Sequence, residues 1–169
     1  MKTQMIAAMA VAGFAGLATA GGSHTFDVSG LGVDGGYSTN FFTLSHDFGG
    51  AGTVTGISWD INYTPASPSW ASELVISLDT DGGFADFSMA DYGAGDTSDP
   101  FASVASEGLS IASSDGMVML TLWDSFQDGA VFPDLVFGSG SSITVTYVPA
   151  PGAMAVLGLG GLVAGRRRR

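Results

Sequence analysis

Two aspartates at alternate positions of one turn, Asp79 and Asp81, are the first residues in this sequence whose spacing suggests chemistry. They stand in Asp79-Thr80-Asp81-Gly82-Gly83, with Asp86 close behind. Calcium takes about six to eight oxygen ligands, and Asp-Gly turns supply both carboxylates and backbone carbonyls. The segment therefore predicts a structural Ca²⁺ site, but not an EF-hand, because Phe84 stands where that loop needs Gly. The alternative is that Asp-Gly is ordinary turn chemistry and that the charge keeps the protein soluble.

Trp70 is the second candidate, as a platform for a sugar ring. It follows Pro65-Ala66-Ser67-Pro68-Ser69, a loop-like setting in which a large ring can be exposed. The alternative is that Trp70 packs at the start of a strand. Trp59 lies in the apolar phase of a strand pattern and Trp123 ends another apolar run, so both are predicted to be core residues.

Catalytic signatures are absent from the sequence. The two histidines are His24, close to the predicted start of the mature chain, and His46, in phase with apolar residues of a predicted strand. We expect His24 to be frayed and His46 to be partly buried. The sequence contains no G-x-S-x-G, H-E-x-x-H or P-loop motif. We therefore expect a protein that is not an enzyme and has no cofactor beyond a possible Ca²⁺. A pair of carboxylates could still serve a glycosidase.

The distribution of charge along the chain excludes some classes of binding partner. The chain has 16 acidic and five basic residues, a net charge of −11, and no cysteine. All five basic residues, Lys2 and the four arginines from Arg166 to Arg169, lie at the two ends, so no Lys or Arg occurs between positions 3 and 165. Nucleic-acid binding needs cations to neutralise phosphates and is excluded. Disulfide frameworks and thiol chemistry are excluded as well.

Alternation of apolar and polar residues dominates the body of the chain. The apolar positions predict four strand faces and are Ile57, Trp59, Ile61 and Tyr63; Leu74, Ile76 and Leu78; Phe42, Leu44 and Phe48; and Ile143, Val145 and Tyr147. The run from Met117 to Trp123 is apolar at nearly every position, which is typical of a central strand buried on both faces. The segment from Gly83 to Ser114 has the weakest pattern, and we expect long loops there with one or two weak strands.

Gly-containing turns separate these strands, and no long segment of the body has helical periodicity. We therefore expect an all-β fold, an antiparallel β-sandwich of jelly-roll type over residues 21–147. Trp70 to Leu78 and Ser142 to Tyr147 loosely resemble secreted galactose-binding-like and proprotein-convertase P-domain jelly rolls.

The N-terminus has the three parts of a secretory signal peptide. Lys2 precedes an apolar run from Met5 to Leu17, and Ala18 and Ala20 form a small-x-small cleavage site. The apolar run is shorter than the roughly 20 residues of a membrane-spanning helix. We expect residues 1–20 to be removed after Ala20.

The C-terminus combines a proline motif, an apolar segment and a basic tip. The motif is Val148-Pro149-Ala150-Pro151-Gly152, and the tip consists of Arg166, Arg167, Arg168 and Arg169. The apolar segment between them predicts a short membrane helix whose arginines stay on the cytoplasmic side. An uncleaved tail anchor is the simplest alternative for this segment.

The order of these three parts resembles the PEP-CTERM sorting signal of exported bacterial proteins, with Ala150 in the position that the usual V-P-E-P motif gives to Glu. The resemblance covers residues 148–169. It implies export by signal peptidase, transient anchoring in the inner membrane, cleavage near Pro149–Gly152 by an exosortase-type transpeptidase, and release or attachment to a surface polymer.

Together these features predict an exported protein of a bacterial cell surface or extracellular matrix, with a structural or adhesive role and surface polysaccharide or matrix as its partner. A carbohydrate-binding module of that matrix is the main alternative, and a secreted glycosidase is the second.

We expect the mature surface protein to begin at Gly21 and to lack the arginine tip, because both ends act only in transport. Mass spectrometry of protein recovered from the surface of the producing cell measures both ends. Intact peptides that reach Arg166 would contradict the cleavage.

Overall fold

The computed structural model describes residues 21–34, 42–126 and 133–150. These residues form two antiparallel β-sheets that pack face to face, which confirms an all-β sandwich. The predicted signal peptide, the apolar C-terminal segment and the arginine tip lie outside the described residues. Within the described residues no helix is long and apolar enough to span a membrane.

Ten strands and two short 3-10 helices make up the described part of the chain. The strands are β1 (Gly22–Asp27), β2 (Gly32–Val33), β3 (Phe42–Asp47), β4 (Gly52–Pro65), β5 (Leu74–Thr80), β6 (Gly83–Ser88), β7 (Phe101–Ser113), β8 (Met117–Asp124), β9 (Leu135–Phe137) and β10 (Ser142–Pro149). The 3-10 helices are Ala71–Glu73, before β5, and Met89–Tyr92, after β6.

The first sheet has six strands in the order β1-β10-β4-β9-β2, with β7 paired to β4, and the second has four in the order β3-β8-β5-β6. The long strand β4 organises the first sheet. Its residues from Gly52 to Tyr63 pair with β7, and its other edge pairs first with β10 and then, from Tyr63 to Pro65, with β9.

One hydrophobic core lies between the sheets, and the alternation of the sequence explains it. Side chains of successive strand residues point to opposite faces, so every second residue is buried. The predicted inward residues of β4, β5 and β10 are all at most 2% exposed: Ile57, Trp59, Ile61, Tyr63, Leu74, Ile76, Leu78, Ile143, Val145 and Tyr147.

Polar groups of the aromatic core residues are paired. The Trp59 indole N–H donates to the Ser103 hydroxyl at 3.1 Å, which ties β4 to β7 inside the core. The Tyr63 hydroxyl donates to the Ala71 carbonyl at 2.5 Å and so holds the first 3-10 helix against β4. Because a buried group without a partner costs about 1–3 kcal/mol, these bonds help to specify how β7 and the first 3-10 helix are placed against β4.

Two strand predictions need correction. Strand β8 is central, as expected, but it is not buried on both faces, because Met117 and Met119 are 37% and 45% exposed on the outer side. The weakly patterned segment from Gly83 to Ser114 contains two strands, as expected, but β7 is long and pairs along β4, so the segment is not mainly loops. Its pattern is weak because β7 pairs only with β4 and leaves side chains such as Val104 77% exposed.

Gly116, in the turn between β7 and β8, is a position where the fold requires glycine. Its φ is +86°, and a Cβ there would lie 2.5 Å from the Gly50 carbonyl oxygen. Gly140 has a similar φ of +83° but nothing within 4 Å of a Cβ. Substitutions at these two glycines therefore separate the cost of backbone strain from the cost of a steric clash.

We expect Gly116→Ala to lower the free energy of unfolding by about 2–4 kcal/mol, since it combines backbone strain with a clash. The matched variant Gly140→Ala should cost only about 1 kcal/mol, from strain alone. Chemical denaturation of both variants measures the difference. Equal costs would show that the approach of Gly50 to Gly116 is not a constraint on the fold.

Candidate ligand-binding face

The outer face of the second sheet carries large side chains that point away from the core. On β8 the inward residues are Val118, Leu120 and Leu122, so Met117, Met119 and Trp123 point outward. On β6, Phe84 is 69% exposed. Scattered apolar residues are normal on a protein surface, but here two aromatic residues contribute to a single depression.

This depression has a volume of about 300 Å³ and is lined by Asp79, Phe84, Asp86 and Trp123. Asp79 on β5 lies directly opposite Phe84 on β6, and Asp86 follows on the same face of β6. Trp123 enters from β8, on the other side of β5. We call these four residues the Trp123 depression.

A hydrogen-bond chain holds the indole ring in place. The Trp123 indole N–H donates to the Ser77 hydroxyl at 2.7 Å, and that hydroxyl donates to the Asp86 carboxylate at 2.5 Å. Ser77 lies in the sheet and is 2% exposed, so the bond keeps the indole edge against the sheet. Because the indole N–H already donates to Ser77, Trp123 would contact a ligand through the face of its ring and not through a hydrogen bond.

The two carboxylates of the depression differ in their surroundings. Asp86 accepts the Ser77 hydroxyl through Oδ1. Within the described parts of the chain no group donates a hydrogen bond to the Asp79 carboxylate. Burial, and secondarily the negative charge of Asp86, raises the pKa of Asp79 above its usual range. A positively charged group in the depression would favour the ionised form of Asp79 and so oppose this shift.

An aromatic ring beside carboxylates can bind a molecule that has both an apolar face and polar substituents. The ring packs against C–H groups, and carboxylates accept hydrogen bonds from hydroxyl or amino groups. A pyranose ring has such faces. The same ring also attracts cations through its π-system.

The first sheet has a second, larger depression of about 430 Å³ on its outer face. Its lining is mostly hydroxyl-bearing or small: Ser58, Trp59, Asp60, Val104, Ala105, Ser106, Ser142 and Thr144. Trp59 is only 2% exposed, so it offers no ring to a ligand. The Trp123 depression has the more specific chemistry.

The predicted calcium ligands Asp79 and Asp81 make different contacts. Asp81 sits in the β5–β6 turn, where its carboxylate accepts the Ser114 backbone N–H at 2.8 Å and also the Ser114 hydroxyl. These bonds lower the pKa of Asp81. Asp79 instead faces Asp86. The described segments contain no group of three or more His, Asp or Glu residues that could hold a metal, and calcium stays a prediction.

Trp70 is 45% exposed, as the loop-like setting suggested. It precedes the first 3-10 helix, and its backbone N–H donates to the Glu73 carboxylate at 2.8 Å. Its ring is not part of either depression described above. Its role as a ligand platform also stays a prediction.

The beginning of the predicted sorting motif is part of the sheet. Strand β10 continues to Pro149, with Val148 opposite Thr53 and Pro149 opposite Gly52. The Ala150 N–H then donates to the Ala51 carbonyl at 2.8 Å. The other predicted processing and topology residues lie outside the described residues and stay predictions: Ala18, Ala20, Pro151, Gly152, Arg166, Arg167, Arg168 and Arg169.

Two residues of the depression, Trp123 and Phe84, and the supporting Ser77 were not predicted to contribute to a site. Trp123 was predicted to be a core residue, but it lies on the outer face, because Leu122 next to it points inward. Strict alternation along β8, counted from the inward Val118 and Leu120, would have placed Trp123 on the outer face. Phe84 and Ser77 carried no signal of their own, since their role depends on the pairing of β5 with β6 and β8.

The two histidines meet at one side of the sandwich. His24 lies in β1 opposite Val145, so the prediction that it is frayed is wrong, whereas His46 is partly buried in β3 as expected. Their rings stack with centroids 3.7 Å apart and planes 9° apart. Since β1 and β3 belong to different sheets, this stack joins the two sheets.

Comparison with known proteins gives one distant structural likeness. No family model and no curated protein matches it. Among solved structures, the crystal structure of dimeric latent PorU from Porphyromonas gingivalis aligns with 79% of this chain, at 14% identity and a TM-score of 0.38. The chain spans only 13% of the length of that structure.

We expect the free energy of unfolding to fall as the pH drops below 6.5, the ordinary pKa of histidine. Burial, and secondarily His46, lowers the pKa of His24 in the folded protein. The unfolded chain therefore takes up the proton first, and stability is lost between the unfolded pKa and the lower folded pKa.

Urea denaturation across this pH range measures the effect, and His24→Phe is the matched variant because it keeps an aromatic ring without a charge. The variant should lose less stability on acidification than the unmodified chain. The raised pKa of Asp79 makes the folded state more stable as the pH falls, which is the opposite effect. Because Asp79 is present in both proteins, its effect cancels when their pH dependences are compared. The same pH dependence in both proteins would rule out the His24 stack as its source.

Proposed function

We propose that this chain is an exported, exosortase-processed protein of a bacterial cell surface or extracellular matrix, and that its body adheres to surface glycans through the Trp123 depression. The role is structural and adhesive rather than catalytic. Signal peptidase and an exosortase-type transpeptidase are its processing partners, and the inner membrane holds it only transiently.

The export part of this proposal is supported by the distribution of charge and by the two terminal motifs. Every basic residue lies in a segment that resembles a transport signal, and every acidic residue lies between Asp27 and Asp134. Positive charge at the tips is what a signal peptide and a positive-inside anchor require. An acidic body remains soluble after both tips are removed.

The sandwich is proposed to be of the jelly-roll type, and the nesting of its strand pairs supports this. β1 pairs with β10, β2 with β9, β3 with β8, β4 with β7 and β5 with β6. A single antiparallel ribbon that ends at the β5–β6 turn and folds over into two sheets has this order. Jelly rolls are built in this way and are common among lectin domains.

The observation that carries the glycan-binding proposal is the pair of aromatic residues beside two carboxylates in one depression. Phe84 is 69% exposed, and Trp123 is held by Ser77 with its N–H already satisfied. The Trp123 ring is fixed before a ligand arrives, so little ordering cost is added on binding. A flat sheet face also allows a long polymer to lie across the site.

We expect Trp123→Ala to weaken binding to surface polysaccharide by at least about tenfold, which is about 1.4 kcal/mol, because truncating an aromatic anchor of a binding site costs more than about 1 kcal/mol. Phe84→Ala should weaken it about fivefold to tenfold and is the variant that tests the site without risk to the core. The measurement is retention of the full chain, in mild detergent, on immobilised polysaccharide from the producing cell.

Two variants control this experiment. Phe126→Ala removes another exposed ring, 59% exposed and outside the depression, and should bind normally. Trp70→Ala tests the platform predicted from the sequence. Normal binding by the Trp123 and Phe84 variants, or loss in the Trp70 variant alone, would overturn the proposed site. Release of new reducing ends from the polysaccharide would instead support the glycosidase alternative.

A further inference from the structure

The negative charge of the Trp123 depression has no cation to balance it within the body of the chain. No Lys or Arg occurs between positions 3 and 165, so no salt bridge to either residue can form there. Some other surface carboxylates accept hydrogen bonds from local backbone donors. Asp27 accepts the Ser29 N–H at 2.9 Å, and Asp47 accepts the Gly49 N–H at 2.7 Å.

Asp79 and Asp86 share the depression but differ in their hydrogen bonds. Asp86 has one oxygen bound to the Ser77 hydroxyl, which leaves the other for a ligand. In the described parts of the molecule the Asp79 carboxylate accepts no hydrogen bond, although it is only partly exposed. Two carboxylates that repel each other therefore line a depression whose remaining walls are aromatic.

A ligand that complements such a site carries a cationic group next to an apolar surface. An ammonium group can lie between the two carboxylates and make charge-assisted hydrogen bonds, which are about twice as strong as neutral ones. The adjacent ring can pack against C–H groups and attract the same positive charge. A bare Ca²⁺ ion fits less well, since it needs about six to eight oxygens and has no use for the rings.

We propose that the Trp123 depression binds glycans that contain amino sugars with free, protonated amino groups. This proposal rests on the proposed function, because it names the class of glycan that the same site takes. The pyranose packs on Trp123, and the ammonium group lies between Asp79 and Asp86. Acetylation of the amine removes the charge and leaves a single amide N–H donor, which two carboxylates favour less than an ammonium group.

The pKa of Asp79 agrees with the geometry of the depression. Burial and, secondarily, the negative charge of Asp86 raise this pKa in the free protein. A bound ammonium group would favour the ionised form and lower the pKa again. Ammonium binding and deprotonation of Asp79 should therefore favour each other.

The test is calorimetric binding of the full chain, in mild detergent, to a β-linked glucosamine oligomer and to the N-acetylglucosamine oligomer of the same length. We expect the glucosamine oligomer to bind at least about tenfold more tightly, a difference of about 1.4 kcal/mol. Its affinity should fall with added salt, because the contact is between charges. The N-acetylated oligomer should show little salt dependence.

Charge-neutral variants assign the preference to the two carboxylates. Asp79→Asn and Asp86→Asn keep the size of the side chains, and the amide oxygen introduced by Asp86→Asn can still accept the Ser77 hydroxyl. Each variant should lose most of the preference for the glucosamine oligomer. Asp60→Asn, an exposed aspartate on the outer face of the other sheet, is the matched control and should keep it.

The outcomes separate this proposal from the one on which it rests. Equal binding of both oligomers, unchanged in the Asp79 and Asp86 variants, overturns the amino-sugar proposal and leaves glycan binding intact. Binding of polylysine that depends on Asp79, without binding of either oligomer, overturns it in favour of a cationic polypeptide. The proposed function itself is overturned if no polysaccharide, including the native surface polymer, binds in a way that depends on Trp123.

Discussion

The lack of any Lys or Arg side chain between positions 3 and 165 is the constraint from which the other features of this protein follow. In the described residues, the carboxylates that accept a hydrogen bond take it from hydroxyls or backbone N–H groups. Asp81 is bound by Ser114, and Asp115 accepts the Met117 N–H at 2.8 Å. Several turns are therefore built around carboxylates, and in the Trp123 depression two carboxylates lie beside aromatic rings.

The order of the strands explains why this site lies where it does. β5 and β6 are consecutive strands joined by the Asp81-Gly82 turn, so their register is set locally and Asp79 comes to lie opposite Phe84. Trp123 arrives from β8, far away in the chain, through the pairing of β8 with β5. The β5–β6 hairpin, which is local in the sequence, thus places Asp79 and Asp86. The pairing of β8 with β5, which is distant in the sequence, adds the ring of Trp123. In the proposed function, this rigid sheet face is what an adhesive module needs.

Much of the fold could be predicted from the sequence, because alternation reports directly which side chains are buried. The inward faces of β4, β5 and β10 follow from Ile57, Leu74, Val145 and their neighbours. The site could not be predicted in the same way. Trp123 ends an apolar run whose phase is ambiguous, and its role depends on Ser77, a residue on another strand. Strand β7 was underestimated because residues such as Ser106 and Gly108 give an edge strand almost no hydrophobic signal.

The three tryptophans provide the most direct test of the account, since their indole N–H groups report separately on the core, the 3-10 helix loop and the depression. NMR of the ¹⁵N-labelled full chain during titration with a glucosamine oligomer would follow all three. The account predicts that the Trp123 resonance shifts at saturation while those of Trp59 and Trp70 stay in place. A shift of Trp70 alone, or no shift at a concentration that saturates binding, would contradict it.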